Sequence, residues 1–310
     1  MIRHILKFSF LIFVACASES KVNNPSVEME AQEQELLTQF PEIKNKDFEN
    51  EELPYESELD LYESTDDNNL SKETIDRFEE DKISKIKNDL QTKDPVGAAT
   101  ALCYKKEFVE AFSLLDSIYK KHKTHPNYWT AIGTCYFLSN QKRKAQLYYD
   151  KAVDVDKKYA PSLNNLGVIY QQLGDDQKAL SAYKKAEDYN PYSLTPLFNK
   201  AQLYLQYGLV EEAHEIFKIL YNKGRSDVDV LSGLGNSSFF LNKIEDSINF
   251  FSKIEKKYLV RPDIGINYAY ALYVDKKVDL ARNIFSNIEI ELIPASKNYY
   301  TQIGKLIGER

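Results

Sequence analysis

Leu163-Asn-Asn-Leu-Gly-Val-Ile-Tyr170, a break at Gly174-Asp175-Asp176, and Ala179-Leu-Ser-Ala-Tyr-Lys-Lys-Ala186 decide the fold of this chain. The first stretch places apolar residues at i, i+3 and i+7. The second uses i, i+3, i+4 and i+7, so each marks one face of a helix. Between them Gly174 tolerates a positive φ, and the two acids favour a helix start. Pro191 closes the unit.

Outward from this hairpin, the pattern recurs every 34 residues. Small residues stand at Ala111, Ala145, Ala179, Ala213, Ser247 and Ala281, and twelve positions earlier at Ala99, Gly133, Gly167, Ala201, Gly235 and Ala269. Large residues follow the first column by four: Leu115, Tyr149, Tyr183, Phe217, Phe251 and Phe285. Small side chains mark where two helices cross closely, and the large one fills the space beside the crossing. A fixed period of this length predicts a repeat array, whose function lies on an extended surface more than in one pocket.

These columns resemble the tetratricopeptide repeat (TPR), a helix-turn-helix unit of the same length. The second repeat carries the pattern on Trp129, Ile132, Gly133, Tyr136, Ala145, Tyr149 and Ala152. The third carries it on Leu163, Leu166, Gly167, Tyr170, Ala179, Tyr183, Ala186 and Pro191. The resemblance implies an all-α, right-handed α-solenoid of about six helix-turn-helix repeats. Their expected starts are near Thr92, Pro126, Ala160, Leu194, Val228 and Pro262, with the array ending at residue 294. Residues 295–310 present one apolar face (Tyr299, Tyr300, Ile303, Leu306, Ile307), as a C-terminal capping helix would. Residues 71–91 carry a looser stripe and are expected to form an N-terminal capping helix.

The other end of the chain reads differently. A basic start with Arg3 and Lys7, the apolar run Phe8-Ser-Phe-Leu-Ile-Phe-Val14, and Ala15-Cys16 resemble a bacterial lipoprotein signal. The resemblance implies cleavage after residue 15 and lipidation of Cys16. Phe13 stands where the family favours Leu, and a plain secretory signal or an uncleaved N-terminus are the competing readings. Residues 17–70 hold sixteen acids against three lysines, a net charge of −13. Such a stretch cannot bury enough apolar surface to offset its ordering entropy, so residues 16–70 are expected to form a disordered tether. Its reach as a coil is about 40 Å. Setting aside the +2 of the signal, residues 71–310 carry +4 of the chain's −7, so its overall acidity does not describe the array. The expected location is the bacterial envelope, lipid-anchored at the outer membrane and facing the periplasm.

Catalytic signatures are lacking. There is no G-x-S-x-G, H-E-x-x-H or phosphate loop, and the carboxylate pairs Asp175-Asp176, Glu211-Glu212 and Glu245-Asp246 recur in phase as helix-start acids. No enzyme activity, cofactor, metal, nucleic acid or small-molecule substrate is expected. His122 and His125 are the one close histidine pair and have no further donor at ligand spacing. Cys103 and Cys135 invite a disulfide. Two buried thiols are the favoured expectation, because neighbouring helix axes lie about 8–10 Å apart while a bridge needs Cα atoms within about 7 Å.

The TPR resemblance implies a concave groove lined by first-helix residues. The candidates are Tyr104, Thr134, Phe137, Asn164, Gln171, Phe198, Gln202, Asn236, Phe239, Phe240, Tyr270 and Tyr273. Amides of this kind bond an extended backbone, and aromatics make pockets for anchors. Asn164 and Asn236 lack the accompanying cations of carboxylate-clamping relatives. The expected role is a membrane-anchored scaffold holding a protein or peptide partner. Within bacterial TPR lipoproteins this includes pilotins for type IV pilus secretins and adaptors for peptidoglycan hydrolases. A cytosolic scaffold and an enzyme with a substrate-recognising array are the remaining alternatives.

Overall fold

A computed structural model describes residues 94–289 and 297–308, together with Thr38. The expected signal, Cys16, the acidic tether and the 71–91 cap lie outside the described residues. Among the described residues are thirteen α-helices, one 3₁₀ turn and no strand.

The helices fall into two compact units, divided between Pro196 and Leu197. The first contains three hairpins: α1 (Pro95–Tyr104) with α2 (Phe108–His122), α3 (Pro126–Leu138) with α4 (Lys142–Val155), and α5 (Ala160–Gln172) with α6 (Asp176–Tyr189). The second contains α7 (Thr195–Gln206, from Leu197 on) with α8 (Val210–Asn222), α9 (Val228–Phe240) with α10 (Ile244–Ser252), α11 (Pro262–Val274) with α12 (Val278–Ser286), and α13 (Lys297–Ile307).

Every hairpin turns in the same way. The residue one past the C-cap has a left-handed backbone at Lys106, Asn140, Gly174, Gly208, Asn242 and Lys276, with φ between 60° and 75°. The next amide then bonds back to the last turn of the first helix, for example Asp175 N–H to the Tyr170 carbonyl at 2.9 Å and Lys277 N–H to the Leu272 carbonyl at 2.9 Å. This is the Schellman arrangement, which satisfies carbonyls that the helix end would otherwise orphan. The acids follow at once. Asp175 caps α6 by accepting from Lys178 N–H at 3.2 Å, and Glu211, Glu212, Glu245 and Asp246 occupy first turns.

The crossings explain the small columns. A Cβ added at Gly133 would come within 2.6 Å of the Tyr149 ring and 3.2 Å of the Ala145 carbonyl. At Gly167 the Tyr183 ring stands 2.5 Å away, and at Gly235 the Phe251 ring 2.7 Å. In these three hairpins the large residue of the second helix therefore lies against the small residue of its own first helix. α13 packs Tyr299, Ile303 and Ile307 on the core around Phe285, with the Tyr300 ring 4.2 Å from that of Phe285. Leu306, read from the sequence as part of that apolar face, is instead 43% exposed.

The cysteines depart from expectation: Cys103 and Cys135 are joined by a disulfide, with Cα atoms 5.1 Å apart. The physical reason is simple. Axes 8–10 Å apart carry Cα atoms on cylinders of about 2.3 Å radius, so facing positions approach to roughly 3–5 Å. The axis spacing was the wrong length to compare with the reach of a bridge.

Candidate protein-interaction surface

First-helix residues spaced by 34 form columns, and one column is buried throughout. Thr130, Asn164, Phe198, Ser232 and Ile266 are all buried. Thr130 shares a hydrogen bond with Ser162, and Asn164 donates to Asn165 Oδ1 at 3.2 Å. Phe198 meets Phe217 edge-on at 6.1 Å, with the Arg225 guanidinium 5.6 Å from its ring centre. Asn164 and Phe198, expected to line a groove, are thus core residues. Facing neighbouring helices, this column is filled by whatever the packing requires.

Two further expected groove residues are drawn inward by a tyrosine. Thr134, 1% exposed, shares a hydrogen bond with the Tyr149 hydroxyl at 3.0 Å. Gln171, 9% exposed, accepts from the Tyr183 hydroxyl at 2.9 Å. A buried phenol costs free energy unless it is bonded, and these side chains supply the partner. Tyr104 and Phe137 are half-buried, and Phe137 packs on the aromatic core of the first unit.

In the second unit Asn236, Phe239, Phe240, Tyr270 and Tyr273 stand on α9 and α11, and Gln202 on α7. Gln202, Asn236, Phe239, Phe240, Tyr270 and Tyr273 are all half-buried. Phe239 lies edge-on to Phe240 at 6.1 Å and reaches Tyr270 on α11 at 5.2 Å. The Asn236 amide points to Ser232 Oγ at 3.4 Å, one turn before Phe239 and Phe240. Burial, with Tyr273 adding a smaller contribution, raises the Tyr270 phenol above its ordinary range, so it stays a neutral donor. Val274, beside Tyr273, is 41% exposed and extends the patch. It was missed although the 34-residue spacing from Tyr104, Leu138 and Phe240 points to it. The result is an aromatic surface, partly open to solvent, at the C-terminal ends of α9 and α11.

Three histidines lie among the described residues. Burial lowers the His122 pKa, helped by Lys121 and His125. His214 is buried, its Nδ1 2.8 Å from Ser237 Oγ, and burial again is the main cause of its lowered pKa. Among the described residues no group of three or more His, Cys, Asp or Glu could hold a metal ion.

Stacked helix hairpins with small residues at each crossing define the class of protein, and comparison with known families names it. Residues 126–159 and 160–193 each match a tetratricopeptide repeat family model. Residues 126–193 thus carry two tetratricopeptide repeats. Over 115 residues it is 29% identical to the probable UDP-N-acetylglucosamine–peptide N-acetylglucosaminyltransferase SPINDLY of Solanum lycopersicum, covering 37% of this chain and 12% of that one. The chain therefore spans about an eighth of that relative's length. Among solved structures, Pseudomonas aeruginosa pilF is similar over 72% of this chain and 99% of its own, at 13% identity and a TM-score of 0.56. PilW, described as a type IV pilus biogenesis factor, is similar over 70% and 98%, at 16% identity and a TM-score of 0.53. At these identities the likeness is one of fold.

Proposed function

We propose that this chain is a protein-interaction scaffold, lipid-anchored at Cys16, whose second unit captures a peptide or protein segment on the aromatic surface of α9 and α11. The observation that carries the reading is the cluster Phe239, Phe240, Tyr270 and Tyr273. The Phe239 ring contacts those of Phe240 and Tyr270, and all four rings remain partly open to solvent. Rings held by their neighbours lose little further freedom on binding, and aromatic anchors dominate many interfaces. Asn236 supplies an amide for a partner's backbone beside them. The lipid and the acidic stretch would place this surface beside a membrane in the bacterial envelope. The fold likeness to PilW makes a pilus secretin one partner worth testing.

Crosslinking in the native cell, followed by identification of the captured protein, tests the scaffold reading. Phe239→Ala with Tyr270→Ala should weaken capture by at least about 2 kcal/mol, some thirtyfold, while the fold is retained. Charge reversal at the exposed Lys184 and Lys185 should leave it unchanged. Loss in the lysine variant with retention in a folded aromatic variant would move the site elsewhere. Fractionation of a Cys16→Ser variant tests the anchor: it should leave the membrane or remain uncleaved.

A further inference from the structure

The disulfide joins the two first helices of the opening hairpins, and nothing in the aromatic surface needs it. Cys103 and Cys135 are completely buried, and 32 residues separate them in sequence. The loop that the bridge closes holds the turn into α2, α2 itself and most of α3. α1 has ten residues, and the turn into α2 holds Lys106, like Lys276 in the last hairpin, in the left-handed region at φ 63°. A lysine there pays a steric cost that glycine avoids. The bridge spans that turn and ties α1 to α3. Tyr104, next in the chain to Cys103, sits on the helix so held.

We propose that the Cys103–Cys135 bridge is a staple, acquired in an oxidising compartment, that keeps the first hairpin docked on the second. It forms by exchange with a disulfide carrier. The thiolate of one cysteine attacks a carrier sulfur and releases the other carrier sulfur as a thiol. The second cysteine thiolate then attacks the mixed disulfide and expels the remaining carrier sulfur. Two protein thiols are oxidised, one carrier disulfide is reduced to two thiols, and the two protons leave with them. Once both sulfurs are enclosed, an attacking thiolate cannot reach them without opening the hairpin, so the bridge persists while the unit is folded. Reducing compartments rarely keep such a bond, which locates the chain's maturation outside a reducing cytosol. The inference does not rest on the anchoring reading, because a soluble chain in an oxidising compartment would carry the same bridge.

The test takes the full chain from its native cell, quenches it in acid, unfolds it and alkylates it with iodoacetamide before any reduction. Mass spectrometry should find the peptides containing Cys103 and Cys135 linked and unalkylated; both carrying the alkyl group would overturn the proposal. A second measurement compares hydrogen exchange in the bridged chain with that of Cys103→Ala/Cys135→Ala. Amides of α1 and α2 should exchange faster in the variant by on the order of a hundredfold, and those of α5 and α6 much less so. Equal exchange in α1 and α2 would show that the bond is not a staple. If the variant does not fold, wild-type chain refolded with and without reductant replaces it. Refolding to the same protection in both would overturn the proposal, and loss of protection in α1 and α2 under reductant would support it.

Discussion

The two units bury different aromatics. The large aromatic side chains fully closed from solvent are Tyr128, Tyr136, Tyr148, Tyr149 and Tyr183 in the first unit and Phe198, Phe217, Phe251 and Phe285 in the second. In the column that all repeats share, Tyr149 and Tyr183 stand where the second unit has Phe217, Phe251 and Phe285, so the difference there is one hydroxyl per ring. A buried hydroxyl is stabilised by a partner. Tyr149 and Tyr183 bond Thr134 and Gln171. Phe251 and Phe285 make no such demand, and in the second unit Asn236, Phe239, Tyr270 and Tyr273 remain half-open. The hydroxyl is one reason for such burial and not the whole of it, because Leu205, at the Gln171 position of the repeat that carries Phe217, is buried as well.

The largest expected effect concerns the first unit alone. Ala179 is fully buried at the crossing of α5 and α6, so Ala179→Leu should overpack it and destabilise that unit by about 3 kcal/mol. Hydrogen exchange should show protection lost across α5 and α6 while α9 to α12 change little. Equal loss in both units would break the comparison by making them one cooperative body.

A smaller effect tests the hydroxyl argument directly. Phe251→Tyr adds a buried hydroxyl whose ring edge faces Gly235, and should cost about 2 kcal/mol unless Asn236 or Phe239 rearranges around it. Denaturant titration gives the cost. A neutral substitution, with the partner still captured, would mean that the outward residues of the second unit are free for some other reason.

About 1 kcal/mol is expected at the turns, with opposite signs. Lys276→Gly should stabilise the last hairpin, because glycine takes φ 63° without the lysine's steric penalty. Gly208→Ala should destabilise by a similar amount at φ 74°. Melting curves of the two variants should therefore move apart.

The smallest effect is acid sensitivity of the second unit. Burial holds the folded His214 pKa below its unfolded value of 6.5, so the folded unit keeps it neutral. Above pH 6.5 this has no effect on stability. As pH falls below 6.5 the unfolded chain takes up the proton first, and the stability of the folded unit declines. His214→Gln should flatten that decline, as read from melting temperature between pH 7 and pH 5. An unchanged slope would assign the acid sensitivity to other groups.

Gly133 with Tyr149, Gly167 with Tyr183 and Gly235 with Phe251 were legible as crossings because a period of 34 constrains residue size wherever two backbones meet. The helix-start acids were legible for the same reason: their cause is local, a free amide at a helix end. Phe198 was not legible as core. A groove position and a neighbour-facing position differ by a rotation of the helix that residue type does not encode. Gln171 and Thr134 escaped as well, because each bonds a hydroxyl twelve or fifteen residues away. Residue by residue, then, the periodic sequence by itself determined the hairpins, the left-handed turn at Gly174, and the small-against-large crossings, since all of these arise within one repeat. Only tertiary structure decided that Cys103 meets Cys135 and that Phe239 meets Tyr270. Both contacts join different repeats, where helix rotation and spacing set the distance between side chains, and no local pattern carries that information.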